Sequence, residues 1–436
     1  MTTAVQQLAV HKTEALLFFT LLQLIIIIGV ARVAALLAGR IGQAQAVGEI
    51  VAGILLGPSL LGLLAPETFA YIFKSVSPDP INIMSQIGLV LLMFQIGLEF
   101  EFSHLKETRN RRTMVWVATA GMVLPFLLGL AFGYVSAPYL APGIQPLGYA
   151  LFMATAFSIT AVPILGRIMM EFNITRTKLG AITITCAAIN DVIGWFLLAA
   201  VTALAAANFS AGETAQKLAW FVFYLVISWW VVRPLLIKAL NRFKIDRDHL
   251  PYGALGLLIV IIFVSAMATY KIGIFAIFGG FMMGVILFDQ TKLVEAWRGK
   301  IADFVTVFFL PIFFTYTGLR TNVQALGSLE LWAWFAVILA LATLGKFGGS
   351  YWAARHCGLN PVESKIIGVM MNTRALMELI VLNIGYDLGV IPSNVFTMLV
   401  LMAIISTVIT SPALRAWLPQ LKPAKPPADA AAVYLK

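Results

Sequence analysis

Apolar runs of about twenty residues follow one another along the whole chain, separated by short breaks rich in charge, proline or glycine. A helix needs roughly 20 apolar residues to cross a hydrocarbon core about 30 Å thick, so each run predicts a transmembrane span. The runs lie near 14–39, 47–64, 81–102, 115–137, 148–170, 179–206, 218–240, 251–269, 273–289, 301–318, 331–354, 364–387 and 393–418. The pattern predicts an all-α polytopic membrane protein of about 13 transmembrane helices, occupying residues 1–420 and followed by a short Pro/Ala-rich tail, 421–436. The first run has no small-residue cleavage site before the next, so it reads as a retained helix.

Composition agrees with this reading. Of 436 residues, 60% are hydrophobic and 11% charged, where soluble domains carry about a quarter charged residues. The net charge of +10 sits in the connectors, a pattern that sets topology and implies no nucleic-acid partner. Taken alternately, one set of connectors holds Arg40, Lys106, Arg109, Arg111, Arg112, Arg176, Lys178, Lys238, Arg242, Lys244, Arg247, Lys292, Arg298, Lys300, Arg355 and Lys365, plus the basic C-terminus. The other holds only Lys12, Lys74, Lys217, Lys271 and Arg320. A bias of roughly four to one places the first set in the cytoplasm of a bacterial inner (cell) membrane, with the N-terminus outside and the C-terminus cytoplasmic. Cys186 and Cys357 fall at different depths and have no metal-ligand spacing, so neither a disulfide nor a metal framework is expected.

With the seventh span (about 218–240) as a linker, spans one to six (14–206) and eight to thirteen (251–418) start on opposite sides, so any likeness between the halves is an inverted repeat. Span three ends FQIGLEFEF and span ten ends FFTYTGLRTN, each with Gly-Leu followed by a charge. Inverted repeats are a recurrent plan of secondary transporters.

Several polar residues interrupt the runs where lipid should reject them. Asp191 lies twelve residues past Leu179, about 18 Å along the sixth span and close to the bilayer centre. An ionised Asp there costs at least about 2.5–3.5 kcal/mol, so it should be protonated, paired or bound to a cation. The bland alternative is a neutral acid that merely bonds to a neighbouring helix. Lys346 lies in the eleventh span at a depth within side-chain reach of Asp191; it either partners that carboxylate or snorkels to the headgroups. In span five, Thr155, Ser158 and Thr160 precede Pro163, which should break helical bonding around Ile159. The freed carbonyls and hydroxyls would then line an ion site, unless the feature is a simple kink with its hydroxyls bonded back to their own helix. Span twelve carries Asn372, Thr373, Arg374 and Glu378. Arg374 and Glu378 share a helix face, and Arg374 is placed to neutralise the negative end of a broken half-helix; holding the break together competes with direct cation binding. Glu99, Glu101 and Arg320 fall near span ends, where solvated or interfacial placement is expected.

At these residues the sequence resembles the cation:proton antiporter-2 family of the sodium/proton exchanger superfamily, over nearly the whole chain. The likeness rests on GEIVAGILLGPSLLG, the GLEF tail, SITAVPILGRI, AINDVIGW, FLPIFFTYTGLRT and MNTRALMELIVLNIGYDLGVI, in that order. It implies a six-helix core moving against a scaffold that forms a homodimer, with spans five and twelve as two broken crossing helices. Asp191 would be the cation and proton carboxylate, Asn190 its neighbour in the paired motif, and Lys346 the basic residue of span eleven. Thr155, Ser158 and Thr160 would fall on the first crossing helix, Arg374 and Glu378 on the second. Two departures bear on stoichiometry. Electrogenic members resemble one another in having two adjacent acids where this chain has Asn190-Asp191; electroneutral relatives pair Asn-Asp with arginine where this chain keeps Lys346. The short tail suggests no regulatory domain.

The leading expectation is exchange of a monovalent cation, Na+ or K+, for H+ at one intramembrane carboxylate, without cofactor. A channel would need filter loops or charge rings, and a cation sensor would need an output domain; neither feature is present in the sequence. The four histidines accompany no catalytic constellation, so no enzyme is expected.

Overall fold

The computed structural model describes residues 2–98, 111–160, 162–172, 174, 177–206, 211–247, 249–273, 275–374 and 376–421. Glu99, Glu101 and the tail from 422 lie outside these residues, as does the side chain of Pro163. Among the described residues the regular structure is helical, apart from one isolated bridge between Asp246 and His249. Nine helices among the described residues are long and apolar enough to cross a membrane. Two bent pairs qualify as well, Thr291–Ala302 with Val305–Leu326 at 44° and Pro361–Met371 with Leu376–Asp387 at 41°. The remaining two runs fold as the shorter apolar helices Pro146–Ser158 and Ala276–Val285. The protein is therefore all-α and polytopic.

Two elements differ from the hydropathy pattern. Run ten, expected at 301–318, starts as helix at Thr291, so the residues Lys292 to Lys300 assigned to a connector are helical. Charge marks where apolar cover ends, and a helix continues past that point while its backbone bonds close. Run five is two helices, Pro146–Ser158 and Val162–Glu171, with Ile159 extended at φ −71°, ψ 149° between them. Pro163 is the second residue of the later helix, where a missing N–H costs nothing.

The packing is inside out relative to a water-soluble protein. Arg374 and Lys346 are among the largest fully buried side chains, whereas Ile25 is 70% and Trp230 68% exposed. Such apolar faces suit lipid tails, and small residues then let helix backbones touch where side chains give no net hydrophobic gain. A Cβ on Gly318 would stand 2.0 Å from the Gly53 carbonyl oxygen, and one on Gly284 2.1 Å from that of Phe94. Equivalent contacts join Gly48 to Ala34, Gly280 to Val90, and Gly279 to Ser265. These link spans one, two, three, eight, nine and ten. A second set joins Gly133 to Ala150, Gly129 to Met153, Gly349 to Ala120 and Gly345 to Pro125, linking spans four, five and eleven. None of these backbone contacts crosses from one set to the other.

Candidate functional site

Breaking a helix in mid-membrane leaves its last four carbonyls without intrahelical partners, and such groups are costly where water is absent. Every one of them is answered at the end of Pro146–Ser158. The Ser158 hydroxyl donates to the Thr155 carbonyl at 2.9 Å. Arg374 Nη1 donates to the Ala156 carbonyl and Nη2 to that of Phe157, each at 2.7 Å. Lys346 Nζ donates to the Ser158 carbonyl. Two cationic side chains thus meet the negative end of the half-helix dipole. Arg374 also binds Glu378 at 3.1 Å one turn on, with both side chains fully buried, and its Nη2 reaches Ala342 O of span eleven at 3.4 Å. The peptide at the second break is held by span thirteen: Thr407 Oγ1 accepts from Arg374 N at 3.2 Å and donates to Arg374 O at 2.8 Å. Thr373 and Thr410 hydroxyls meet at 3.3 Å.

Lys346 sits in a wide π-turn, Leu344–Gly348, and is 0% exposed. That burial overturns snorkelling, and the ammonium makes no contact ion pair with Asp191 either. It is turned to the Ser158 carbonyl instead. Asp191, within Lys178–Ala206, is fully buried, and neither of its oxygens accepts a hydrogen bond from the described residues. The same is true of both amide atoms of Asn190, the Thr160 hydroxyl and Asn372 Oδ1.

At the span-five break the freed carbonyls take side-chain donors, and two of the three hydroxyls donate back to their own helix while keeping oxygen lone pairs to accept with. The Thr155 hydroxyl bonds back to Leu151 O at 2.8 Å and that of Ser158 to its own helix, while Arg374 and Lys346 occupy the carbonyls. Of the three hydroxyls, Thr160 alone has no partner among the described residues. Span six approaches the break closely, since a Cβ on Gly194 would stand 3.2 Å from Ile159.

Three features had weak sequence signals. Thr407 and Thr410 lie three apart in a mostly apolar run, flanked by Ser406 and Ser411, a hint of a polar face that names no partner. Trp195 lies four residues beyond Asp191, a spacing visible in the chain but mute about contact. Arg320, expected at a solvated or interfacial position, is part-buried and bound to Asp387 at 2.6 Å and Asn383 at 3.2 Å, partners its spacing did not reveal, with its guanidinium 4.1 Å above the Tyr316 ring.

Buried acids and bases beside two helices broken at membrane depth define the class of ion-coupled secondary transporters. Residues 25–419 match the model of the family described as sodium/hydrogen exchanger, transmembrane. The chain belongs to that family. It is 39% identical over 403 residues to the Na(+)/H(+) antiporter NhaS4 of Synechocystis sp., covering 91% of this chain and 96% of that one. It is 34% identical over 411 residues to cation/H(+) antiporter 17 of Arabidopsis thaliana, covering 92% of this chain but 48% of the plant protein, so it spans about half the length of that relative. The structure of the sodium proton antiporter MjNhaP1 from Methanocaldococcus jannaschii shares the fold, with a TM-score of 0.63 over 93% of this chain and 98% of that one at 14% identity.

Proposed function

We propose that this protein exchanges a monovalent cation for a proton, and that Asp191 binds one or the other but never both. The observation that carries this is the Asp191 carboxylate itself, fully buried with both oxygens unanswered by protein donors. A carboxylate in that state needs a positive charge or a proton, and a group that takes either is a point of exchange. Asn190, Thr160 and Asn372 supply neutral oxygens suited to a hard monovalent cation. Lys346, Arg374 and Glu378 hold the broken helices on which the site stands. The names of the relatives above support Na+ as a substrate, and 28% identity to K(+)/H(+) antiporter 1 of Saccharomyces cerevisiae over 380 residues supports K+.

The two sets of glycine contacts support alternating access. Spans four to six with eleven to thirteen form the core, spans one to three with eight to ten the scaffold, and span seven the linker. The Gly-Leu tails support an inverted repeat: Gly97 of span three packs on Phe281 of span nine, and Gly318 of span ten packs on Gly53 of span two. Exchanging the halves turns one pair into the other. Thirteen crossings, an external N-terminus and a scaffold-mediated homodimer belong to the same proposal.

The decisive experiment reconstitutes the purified protein in liposomes with an interior pH dye. Each of Na+, K+ and Li+ is added in turn. Asp191→Asn is expected to abolish cation-driven proton movement while eluting and unfolding as a normal protein, because it removes charge and keeps shape. Exchange that persists in Asp191→Asn would sink the mechanism.

A further inference from the structure

Trp195 lies four residues past Asp191, so the two side chains leave the helix on one face. The indole is 4% exposed and its N–H has no hydrogen-bond partner among the described residues, although buried indoles usually find one. The acceptor one turn back on the same face is the Asp191 carboxylate, whose two oxygens likewise lack a partner among the described residues. The ring itself points away from the core. It meets Phe278 edge-on with centroids 5.4 Å apart and lies tilted on Phe281 at 5.6 Å. Both phenylalanines belong to Ala276–Val285 of span nine, in the opposite set of helices. One side chain therefore adjoins the carboxylate and bridges the boundary between the two bodies.

We propose that Trp195 is a positioning residue that links the occupancy of Asp191 to that boundary: its N–H donates to the ionised, unloaded carboxylate, and an arriving proton or cation displaces it. The displaced indole re-seats against Phe278 and Phe281, so loading the site changes how the core rests on the scaffold. The inference builds on the antiport reading. The buried charged groups on neighbouring elements are Lys346 of span eleven and the Arg374–Glu378 pair of span twelve. The helix of span nine carries no charged residue; the span-four helix is charged at Arg111 and Arg112, span seven at Glu213, Lys217, Arg233 and Lys238, and the first half of span twelve at Glu363 and Lys365. The span-five helices add Tyr149, Arg167 and Glu171.

Trp195→Phe keeps a ring against span nine and deletes the donor. Loss of a donor to the empty, charged form favours both loaded forms, so proton binding is expected to move alkaline by about one pH unit. At alkaline pH, where the proton no longer competes, the KM for the cation should fall about tenfold, with a smaller change in maximal rate. Phe281→Leu should do the reverse, lowering the maximal rate while leaving the pH profile in place. The same comparison in detergent, as cation protection against thermal unfolding across pH, needs no transport. A Trp195→Phe protein that titrates like the parent in that assay overturns the proposal, and a shifted titration supports it. Liposomes in which the parent exchanges no cation would refute the antiport reading, leaving the protection assay to decide the role of Trp195.

Discussion

A fully buried guanidinium with one carboxylate partner and three carbonyl acceptors is held by geometry that only arginine satisfies. The fork of Arg374 spans Ala156 and Phe157 while one nitrogen also binds Glu378, and lysine offers no such planar pair of donors. Arg374→Met would strand the Glu378 carboxylate and uncap two carbonyls. Breaking a buried pair from one side costs about 3–5 kcal/mol, so the variant is expected to lose most of its thermal stability in detergent. Arg374→Met with Glu378→Gln should recover part of it, because the stranded charge is gone. A single variant that melts with the parent would show the pair is dispensable. This i,i+4 pair was legible from spacing alone, as was the role of Arg374 at a broken helix end. The partner of Lys346 was not, because depth arithmetic fixes height along the membrane normal and says nothing of direction around the helix.

At the scale of elements, a break in a span is affordable only where other spans replace its lost bonds. Pro163 announced the break in span five; span twelve carries polar residues and no proline at its bend, which is held by partners from span thirteen that no local pattern reveals. The bend of 44° in span ten and its early start at Thr291 were equally hidden, since π-turns at Arg298–Ala302 and Val305–Phe309 leave no compositional mark. Glycine seams carry the opposite lesson. The shared Gly-Leu tails were visible, but their meaning as backbone contacts needed the fold. Gly318→Ala forces a methyl to within 2.0 Å of the Gly53 carbonyl oxygen, and overpacking of that kind typically costs about 1–3 kcal/mol. The expected result is a lowered melting temperature. Gly143→Ala serves as a poor control because its φ is +85°; Gly256→Ala, with open space around it, should be silent.

For the whole molecule, apart from Glu49, which is paired with Arg32 at 3.3 Å, four charged side chains among the described residues are fully buried, Asp191 and Glu378 against Lys346 and Arg374. They balance when all are charged. A proton or a monovalent cation on Asp191 adds the same single charge, so the two loaded forms are electrostatically alike as long as Lys346 keeps its proton. Its place on the Ser158 carbonyl favours the ammonium. Exchange is therefore expected to be one for one and indifferent to membrane potential. A step carrying one net charge would feel about 2.3 kcal/mol per 100 mV, so initial rates in liposomes clamped at zero and at −100 mV separate the two cases cleanly. Strong acceleration at negative interior potential would show that Lys346 releases its proton. The membrane class and the family were legible because apolar length and ordered motifs are one-dimensional signals; charge balance was not, because it depends on which groups share an interior.

The capped end of Pro146–Ser158 also constrains how this site can be inherited. Carbonyls cannot be titrated away, so a lineage that loses Lys346 or Arg374 must find another cation for the half-helix or restore continuity across Ile159 to Pro163. The break and its two bases form one heritable unit, and drift in any one member is expected to be answered in the others.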